Sequence, residues 1–223
     1  MSLILNIETA TKNCSVALSK HGETLSCKEV SDQGYSHAEK LHVFIDEILS
    51  ENNCKYSDLE AIAVSRGPGS YTGLRIGVSA AKGLCYALGI PLISVDTLRI
   101  LAAQASVSDG VIIPMLDARR MEVYSAVFTA GLNEIRPTKA EILDENSFSE
   151  IAGKAYFAGD ASEKARTVLT KANFEFLDDI IYPSARQMSA LSHEKFNSKQ
   201  FEDVAYFEPF YLKDFLVGGK PQP

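Results

Sequence analysis

Apolar and polar residues follow one another in the first half of the chain in a pattern that predicts strands before helices. Leu3–Glu8 is an almost unbroken apolar run, typical of a buried strand, while Cys14–Ser19 and Thr24–Val30 alternate as strands do. Ser36 followed by Glu39 forms a capping box, which predicts the start of an amphipathic helix over 36–50. The elements predicted next are the strands Ala61–Ser65 and Leu92–Val95 and the helices Tyr71–Leu88 and Thr97–Ser106.

The second half repeats this order more loosely. In each half an apolar strand ends in an acidic residue and a small one, Glu8-Thr9-Ala10 and Asp117-Ala118, and an alternating strand follows. The two acids lie about half the chain apart, so we expect a duplicated α/β fold with lobes at 1–108 and 109–223. The elements predicted here are the strands Val111–Leu116, Glu122–Thr129, Glu134–Ile142 and Ala155–Ala158 and the helices Glu145–Ile151, Ser162–Ala172 and Ser184–Asn197.

Composition is typical of a globular protein. The chain has 223 residues, 46% of them hydrophobic, and a net charge of −7, so no overall field attracts it to nucleic acid. Its four cysteines form no pairing pattern and are expected to be buried thiols in a reducing compartment. The N-terminus lacks a basic segment before its apolar run, and Lys82 and Pro91 interrupt the longest apolar stretch. We therefore expect a cytoplasmic protein with no membrane contact.

The most distinctive run is Arg66–Arg75, RGPGSYTGLR, which predicts a strand end, a glycine turn and a helix with Ser70 or Thr72 as N-cap. It lacks the Gly-Lys-Ser/Thr of a phosphate-binding P-loop. A structural turn and a site for a ligand or partner both remain open.

The helix after this turn carries few charges and many small residues. A helix that is apolar nearly all round is buried on more than one side. Either its own lobe covers it, or a partner chain does. On the second interpretation, with the preceding amphipathic helix beside it, the predicted interface residues are Leu41, Ile45, Gly73, Gly77, Ala80, Ala81 and Leu84.

Two acids at strand ends suggest a vestigial nucleotide site. Glu8, Thr9 and Asp117 could hold Mg²⁺ and phosphate across a cleft, or each acid could simply cap its turn. Ala10 and Ala118 stand where close approach of phosphate favours glycine. Arg119 and Arg120 beside the second turn are too few for a nucleic-acid patch.

A metal site is not expected. His37 and His42 lie five residues apart, which directs them to different sides of a helix, whereas helical metal ligands need a spacing of three or four.

Four segments carry a family resemblance: Leu3–Leu18 (LILNIETATKNCSVAL), Ser65–Asp96 with its Gly-Pro-Gly turn, Asp117–Tyr124 (DARRMEVY) and Pro209–Lys213 (PFYLK). They resemble the bacterial tRNA threonylcarbamoyladenosine biosynthesis proteins of the TsaB family, the dimerisation subunits of the threonylcarbamoyltransferase complex. The resemblance implies the duplicated actin-like (ASKHA) fold of sugar kinases and Hsp70.

The resemblance also implies function and partners. Such proteins are non-catalytic subunits that bind and support the catalytic paralogue TsaD, which modifies the tRNA adenosine beside the anticodon. The small ATPase TsaE docks on the pair, a homodimer forms when the chain is alone, and tRNA is reached only through the complex. TsaD carries a metal-binding His-x-Glu-Gly-His where this chain has Ser94–Leu98, without histidine.

Three functions follow for comparison. The leading one is the partner subunit, with no cofactor in the isolated chain and nucleotide only within the complex. The alternative is a stand-alone actin-fold ATPase or phosphotransferase that uses Glu8 and Asp117. A metallopeptidase is the third, and the histidine spacing argues against it. The leading function predicts no bound metal, negligible ATP turnover and weak tRNA binding by the chain alone.

Overall fold

Two five-stranded sheets form the frame of the protein. The computed structural model describes residues 2–31 and 37–212. The first sheet has the strand order β3-β2-β1-β4-β5 and the second β10-β9-β6-β7-β8. Their strands are β1 Leu3–Glu8, β2 Cys14–Lys20, β3 Glu23–Val30, β4 Ala61–Ser65, β5 Leu92–Val95, β6 Val111–Asp117, β7 Glu122–Thr129, β8 Glu134–Ile142, β9 Ala155–Ala158 and β10 Phe174–Phe176.

The second sheet repeats the topology of the first. In each, the opening strand lies in the middle, pairs antiparallel with the strand that follows it and parallel with the fourth strand of its half. Read from β8 to β10, the second order matches β3 to β5 of the first. The prediction of a duplicated actin-like α/β fold is therefore confirmed.

Among the described residues, five α-helices cover the sheets: α1 His37–Glu51, α2 Tyr71–Leu88, α3 Thr97–Ala102, α4 Ser162–Arg166 and α5 Ala185–Asn197. Alternation along β1 assigns them to faces. Leu5 and Ile7 pack with the apolar sides of α1 and α2, whereas Ile4 packs on the other face with Met188 of α5. No helix within 2–31 and 37–212 is both long and apolar enough to cross a membrane.

The two halves exchange their last helices. Leu98 and Leu101 of α3 pack against the second sheet, although α3 follows the first. Conversely, α5 follows the second sheet but packs on β1, β2 and β3. Segment 201–212 continues along the first sheet, where the Glu202 amide donates to the Leu92 carbonyl at 2.9 Å. The division at 108/109 stays a prediction, and the exchange shows that sequence order and lobe membership differ for α5.

Three predicted helices differ from the structure. Turns replace the helix expected at 145–151, because Asp144 accepts hydrogen bonds from Asn146 N and the Ser147 hydroxyl, and Phe148 adopts a left-handed φ of 59°. The helix expected at 162–172 ends at Arg166, with β10 following, and α3 ends at Ala102 rather than at residue 106. The capping residue Ser36 lies outside the described residues.

Candidate functional site

The two strand-end acids build the same turn in both halves. Glu8 ends β1, and its Oε1 accepts a hydrogen bond from the amide of Ala10 at 2.5 Å. Asp117 ends β6, and its Oδ1 accepts from the amide of Arg119 at 2.7 Å. Both carboxylates thus satisfy an amide two residues ahead, as acidic side chains commonly do in turns. This geometry is that of the turn-capping interpretation.

The surroundings of the two acids differ sharply. Glu8 is completely buried, and this burial raises its pKa to about 8 despite hydrogen bonding from the Ala10 amide. The Ser65 hydroxyl lies nearby and lowers the pKa slightly, but neither it nor Glu8 Oε2 completes a hydrogen bond within the described part of the chain. Glu8 is therefore mainly protonated at neutral pH, and a neutral carboxyl is a poor ligand for Mg²⁺.

Asp117 is exposed and carries its charge. Burial opposes ionisation, but hydrogen bonds from Lys164 Nζ, at 2.6 Å, and from the Arg119 amide hold the pKa of Asp117 below its usual range. Asp160 accepts from the Asp117 amide at 2.8 Å, and its own pKa is raised by burial. In the described residues no three His, Cys, Asp or Glu side chains are grouped to hold a metal ion.

The first acid turn is covered by the chain's own glycine loop. The Ser70 amide donates to the Ala10 carbonyl at 2.7 Å, and Ala10 is buried. A Cβ on Gly69 would lie only 2.3 Å from that carbonyl oxygen, so glycine is required there. Thr9, also buried, donates its hydroxyl to the Gly73 carbonyl at 2.8 Å. Thr9 of the predicted nucleotide site and the neighbouring Ala10 are therefore in contact with protein.

The glycine loop is itself held from two sides. Ser70 is the N-cap of α2, and its hydroxyl accepts from the Gly73 amide at 3.3 Å. The Gly67 amide donates to the Thr97 hydroxyl at 3.1 Å, and the Phe210 amide donates to the Arg66 carbonyl at 2.7 Å. These contacts account for the loop as a structural turn, one of its two interpretations.

The predicted interface residues need correction. Leu41, Ile45 and Ala81 have no exposed surface and belong to the core between α1, α2 and the first sheet. Gly73 and Gly77 are also buried, and a Cβ on either would lie within 2.2 Å of an oxygen atom of Thr9. These five residues pack α1 and α2 within the lobe and cannot contact a partner directly. Ala80 and Leu84 are half-buried.

A different face of α2 is exposed. We use the name α2 face for Ser79, Gly83, Tyr86 and Ala87, which are exposed and lie on one side of the helix. Tyr86 is 87% exposed, although tyrosine is usually at least partly buried. Spacing of three and four residues was the signal that could have found this face.

The neighbours of α2 extend this surface. The helix α1 lies beside α2 and exposes Val43. On the other side, Lys82 Nζ donates to the carbonyls of Ala205 and Phe207 at 3.1 and 3.0 Å, which holds segment 203–212 along the helix. Tyr206 in this segment is 84% exposed. The α2 face thus lies between two other elements that also expose apolar side chains.

The remaining candidate residues have structural contacts. Ser94, in the stretch that the resemblance matches to the paralogue's metal motif, donates its hydroxyl to Glu202 at 2.5 Å, and Asp96 forms an ion pair with Arg66 at 2.6 Å. His37 is buried whereas His42 is exposed, so their rings lie on different sides of α1. The expectation of no bound metal stays a prediction.

Comparisons with known proteins address the family. The model described as "TsaD: tRNA N6-adenosine threonylcarbamoyltransferase" matches residues 31–214. The tRNA threonylcarbamoyladenosine biosynthesis protein TsaB of Escherichia coli (strain K12) is 29% identical over 97% of either chain. YeaZ from Pseudomonas aeruginosa, a solved structure, has a TM-score of 0.83 and 26% identity over 95% of this chain and 100% of that chain. This chain belongs to the TsaB family.

This chain is also similar in sequence to a transferase. A tRNA N6-adenosine threonylcarbamoyltransferase of Lactobacillus acidophilus is 31% identical to this chain over 97% of its length, but the match spans only 60% of that longer protein. The matches to TsaB and YeaZ confirm the family resemblance that the glycine loop and the two acid turns indicated.

Proposed function

We propose that this chain is a non-catalytic subunit that binds a TsaD-type transferase and supports it in forming threonylcarbamoyladenosine in tRNA. The observation that carries the proposal is the α2 face, an exposed surface of small and aromatic residues on a helix whose other side is core. Small residues allow another helix to approach closely, and tyrosine is enriched at protein interfaces.

Gly83 strengthens this argument. A Cβ at Gly73 or Gly77 would collide with Thr9, so those glycines are explained within the chain. A Cβ at Gly83 would meet nothing within 4 Å. A glycine inside a helix costs about 1 kcal/mol relative to alanine, and no contact in the lobe accounts for that cost. Close approach of a partner backbone would account for it.

The acid turns support the absence of catalysis. The buried, protonated carboxyl of Glu8 and the glycine loop over Ala10 leave little room for a phosphate in the first turn. The carboxylate of Asp117 is already paired with Lys164. We propose that the isolated chain needs no cofactor and that nucleotide is bound only within the complex.

The same surface defines the proposed partners. We propose that the TsaD-type protein covers the α2 face, that a second copy of this chain covers it when the transferase is absent, and that the ATPase TsaE joins the assembled pair. tRNA is reached through the complex.

Assembly tests the proposal directly. Co-expression with the TsaD-type protein of the same organism should give a 1:1 complex by size-exclusion chromatography with light scattering, and depletion of this chain should abolish threonylcarbamoyladenosine in digested cellular tRNA. Normal modification without the chain, or two proteins that elute separately at all concentrations, would contradict the proposal.

ATP turnover separates the proposal from a stand-alone ATPase. We expect the purified chain to release phosphate from Mg-ATP no faster than buffer, because the first turn is closed and Glu8 is mainly uncharged. The measurement compares wild type with Glu8→Gln and Asp117→Asn. A turnover that either substitution removes would favour the actin-fold ATPase instead.

A further inference from the structure

The turn between β6 and β7 has an unusual backbone. Arg119 and Arg120 both adopt left-handed φ angles, 74° and 49°. Side chains other than Gly, Asn and Asp seldom occupy this region, and tight hairpin turns favour those three. Both arginines are exposed, and neither guanidinium has a hydrogen bond or ion pair in the described part of the chain. Packing within the fold does not explain why arginines stand here.

The surroundings hold this turn in place. Lys164 Nζ donates to the carbonyls of Arg120 and Glu122 at 2.8 and 2.6 Å and pairs with Asp117. Lys12, in the first acid turn, is close enough across the cleft to favour the charged form of Asp117. The Asp117 carboxylate, two residues before Arg119, is therefore already paired with Lys164. Arg119 and Arg120, too few for a patch by themselves, lie beside this pair in the exposed turn between β6 and β7.

Three amides of the turn are already engaged within it. The amides of Ala118, Arg119 and Glu122 donate to Glu122 O at 3.0 Å, Asp117 Oδ1 at 2.7 Å and Arg119 O at 3.1 Å. A free nucleotide is commonly held by a cradle of several backbone amides, and these three cannot contribute to one. Exposed guanidinium groups instead suit the phosphates of a nucleic-acid backbone, where arginine side chains supply many of the contacts.

We propose that Arg119 and Arg120 contact backbone phosphates of the tRNA substrate. The inference rests on the proposed function, because the net charge of −7 makes tight binding by the chain alone unfavourable. In the complex, the TsaD-type protein supplies most of the affinity for tRNA, and the two arginines add a local contact with its phosphates.

The experiment uses the double variant Arg119→Gln/Arg120→Gln. Its control, Lys20→Gln/Lys199→Gln, makes the same change in net charge. Lys20 lies at the end of β2 paired with the start of β1, and Lys199 follows α5. Size-exclusion chromatography first measures assembly with the TsaD-type protein. Fluorescence anisotropy then measures binding of an unmodified tRNA transcript at several salt concentrations, to the complex and to the isolated chain at low ionic strength.

We expect the arginine variant to assemble normally and to bind the transcript roughly tenfold more weakly than the control. The slope of log affinity against log salt should fall by about 2, one for each phosphate contact. Equal tRNA binding by both double variants, in the complex and in the isolated chain, would overturn the inference. The inference would also be overturned if the arginine variant bound Mg-ATP or an acidic peptide more weakly than the control while its binding of the tRNA transcript stayed unchanged. Failure of wild type to assemble would count against the proposed function, and the isolated-chain titration would still decide this inference.

Discussion

Gly83→Lys should leave the isolated chain folded and abolish its complex with the TsaD-type protein. A side chain at this position projects into open space, and lysine forms helix better than glycine, so the free energy of unfolding should stay equal or rise by up to about 1 kcal/mol. In the complex the same side chain would separate the two backbones and bury an unpaired charge. We expect the affinity to fall at least ~100-fold, equivalent to about 3 kcal/mol. Urea denaturation and size-exclusion chromatography measure the two effects.

Two comparisons make this result specific. Ala190→Lys introduces a lysine at an exposed position of α5, on the opposite face of the first sheet, and should leave both folding and assembly intact. Ala81→Arg places a charge in the core between α2 and the sheet and should unfold the chain. A Gly83→Lys chain that still forms the complex and restores tRNA modification would show that the partner binds elsewhere.

The contrast between glycines marks how far sequence could predict this site. Gly73, Gly77 and Gly83 lie on one helix, and the sequence predicted the first two as interface residues. Only the position of Thr9, brought to the helix by the turn after β1, shows that two of them are needed inside the lobe. Gly83, six residues after Gly77, lies on a different side of α2, and its spacing from Ser79 and Tyr86 was the signal that could have separated it from the other two.

Regular elements were predictable where burial repeats regularly. β1, β4, β5, β7, β9 and α2 have the predicted bounds, because each presents apolar residues to a core. β8 also has the predicted bounds, although none of its residues is buried. The segment at 145–151 was not predictable in this way, since hydrogen bonds that the Asp144 carboxylate accepts from Asn146 and Ser147 compete with helix there. The placement of α5 on the first sheet depends on contacts between distant parts of the chain, which its amphipathic pattern alone does not specify.

Glu8→Gln should stabilise the protein increasingly as pH rises. The pKa of Glu8 is about 8 in the folded chain against an ordinary value of 4.5, so between these values the folded state keeps a proton that the unfolded state has lost. Stability of the wild type therefore decreases as pH rises through this window, by up to about 1.4 kcal/mol per pH unit from this residue. Glutamine stays neutral, can still accept from the Ala10 amide, and can donate to the Ser65 hydroxyl. The difference in free energy of unfolding should grow from near zero at pH 4 to several kcal/mol at pH 8.

The equivalent acid of the second half supplies the control of opposite sign. The pKa of Asp117 is lowered from its ordinary 3.8, so its ionised form stabilises the fold above that value, and this contribution is lost as pH falls through the folded pKa. Asp117→Asn should therefore destabilise the protein at neutral pH, but only modestly, because solvent screens the exposed pair with Lys164. The effect should vanish in acid, where Asp117 is protonated in the wild type as well. Urea denaturation of the three chains from pH 4 to pH 9 measures both differences. A constant offset for Glu8→Gln across that range would show that Glu8 is charged in the folded protein, and the carboxyl would again be available to bind a cation.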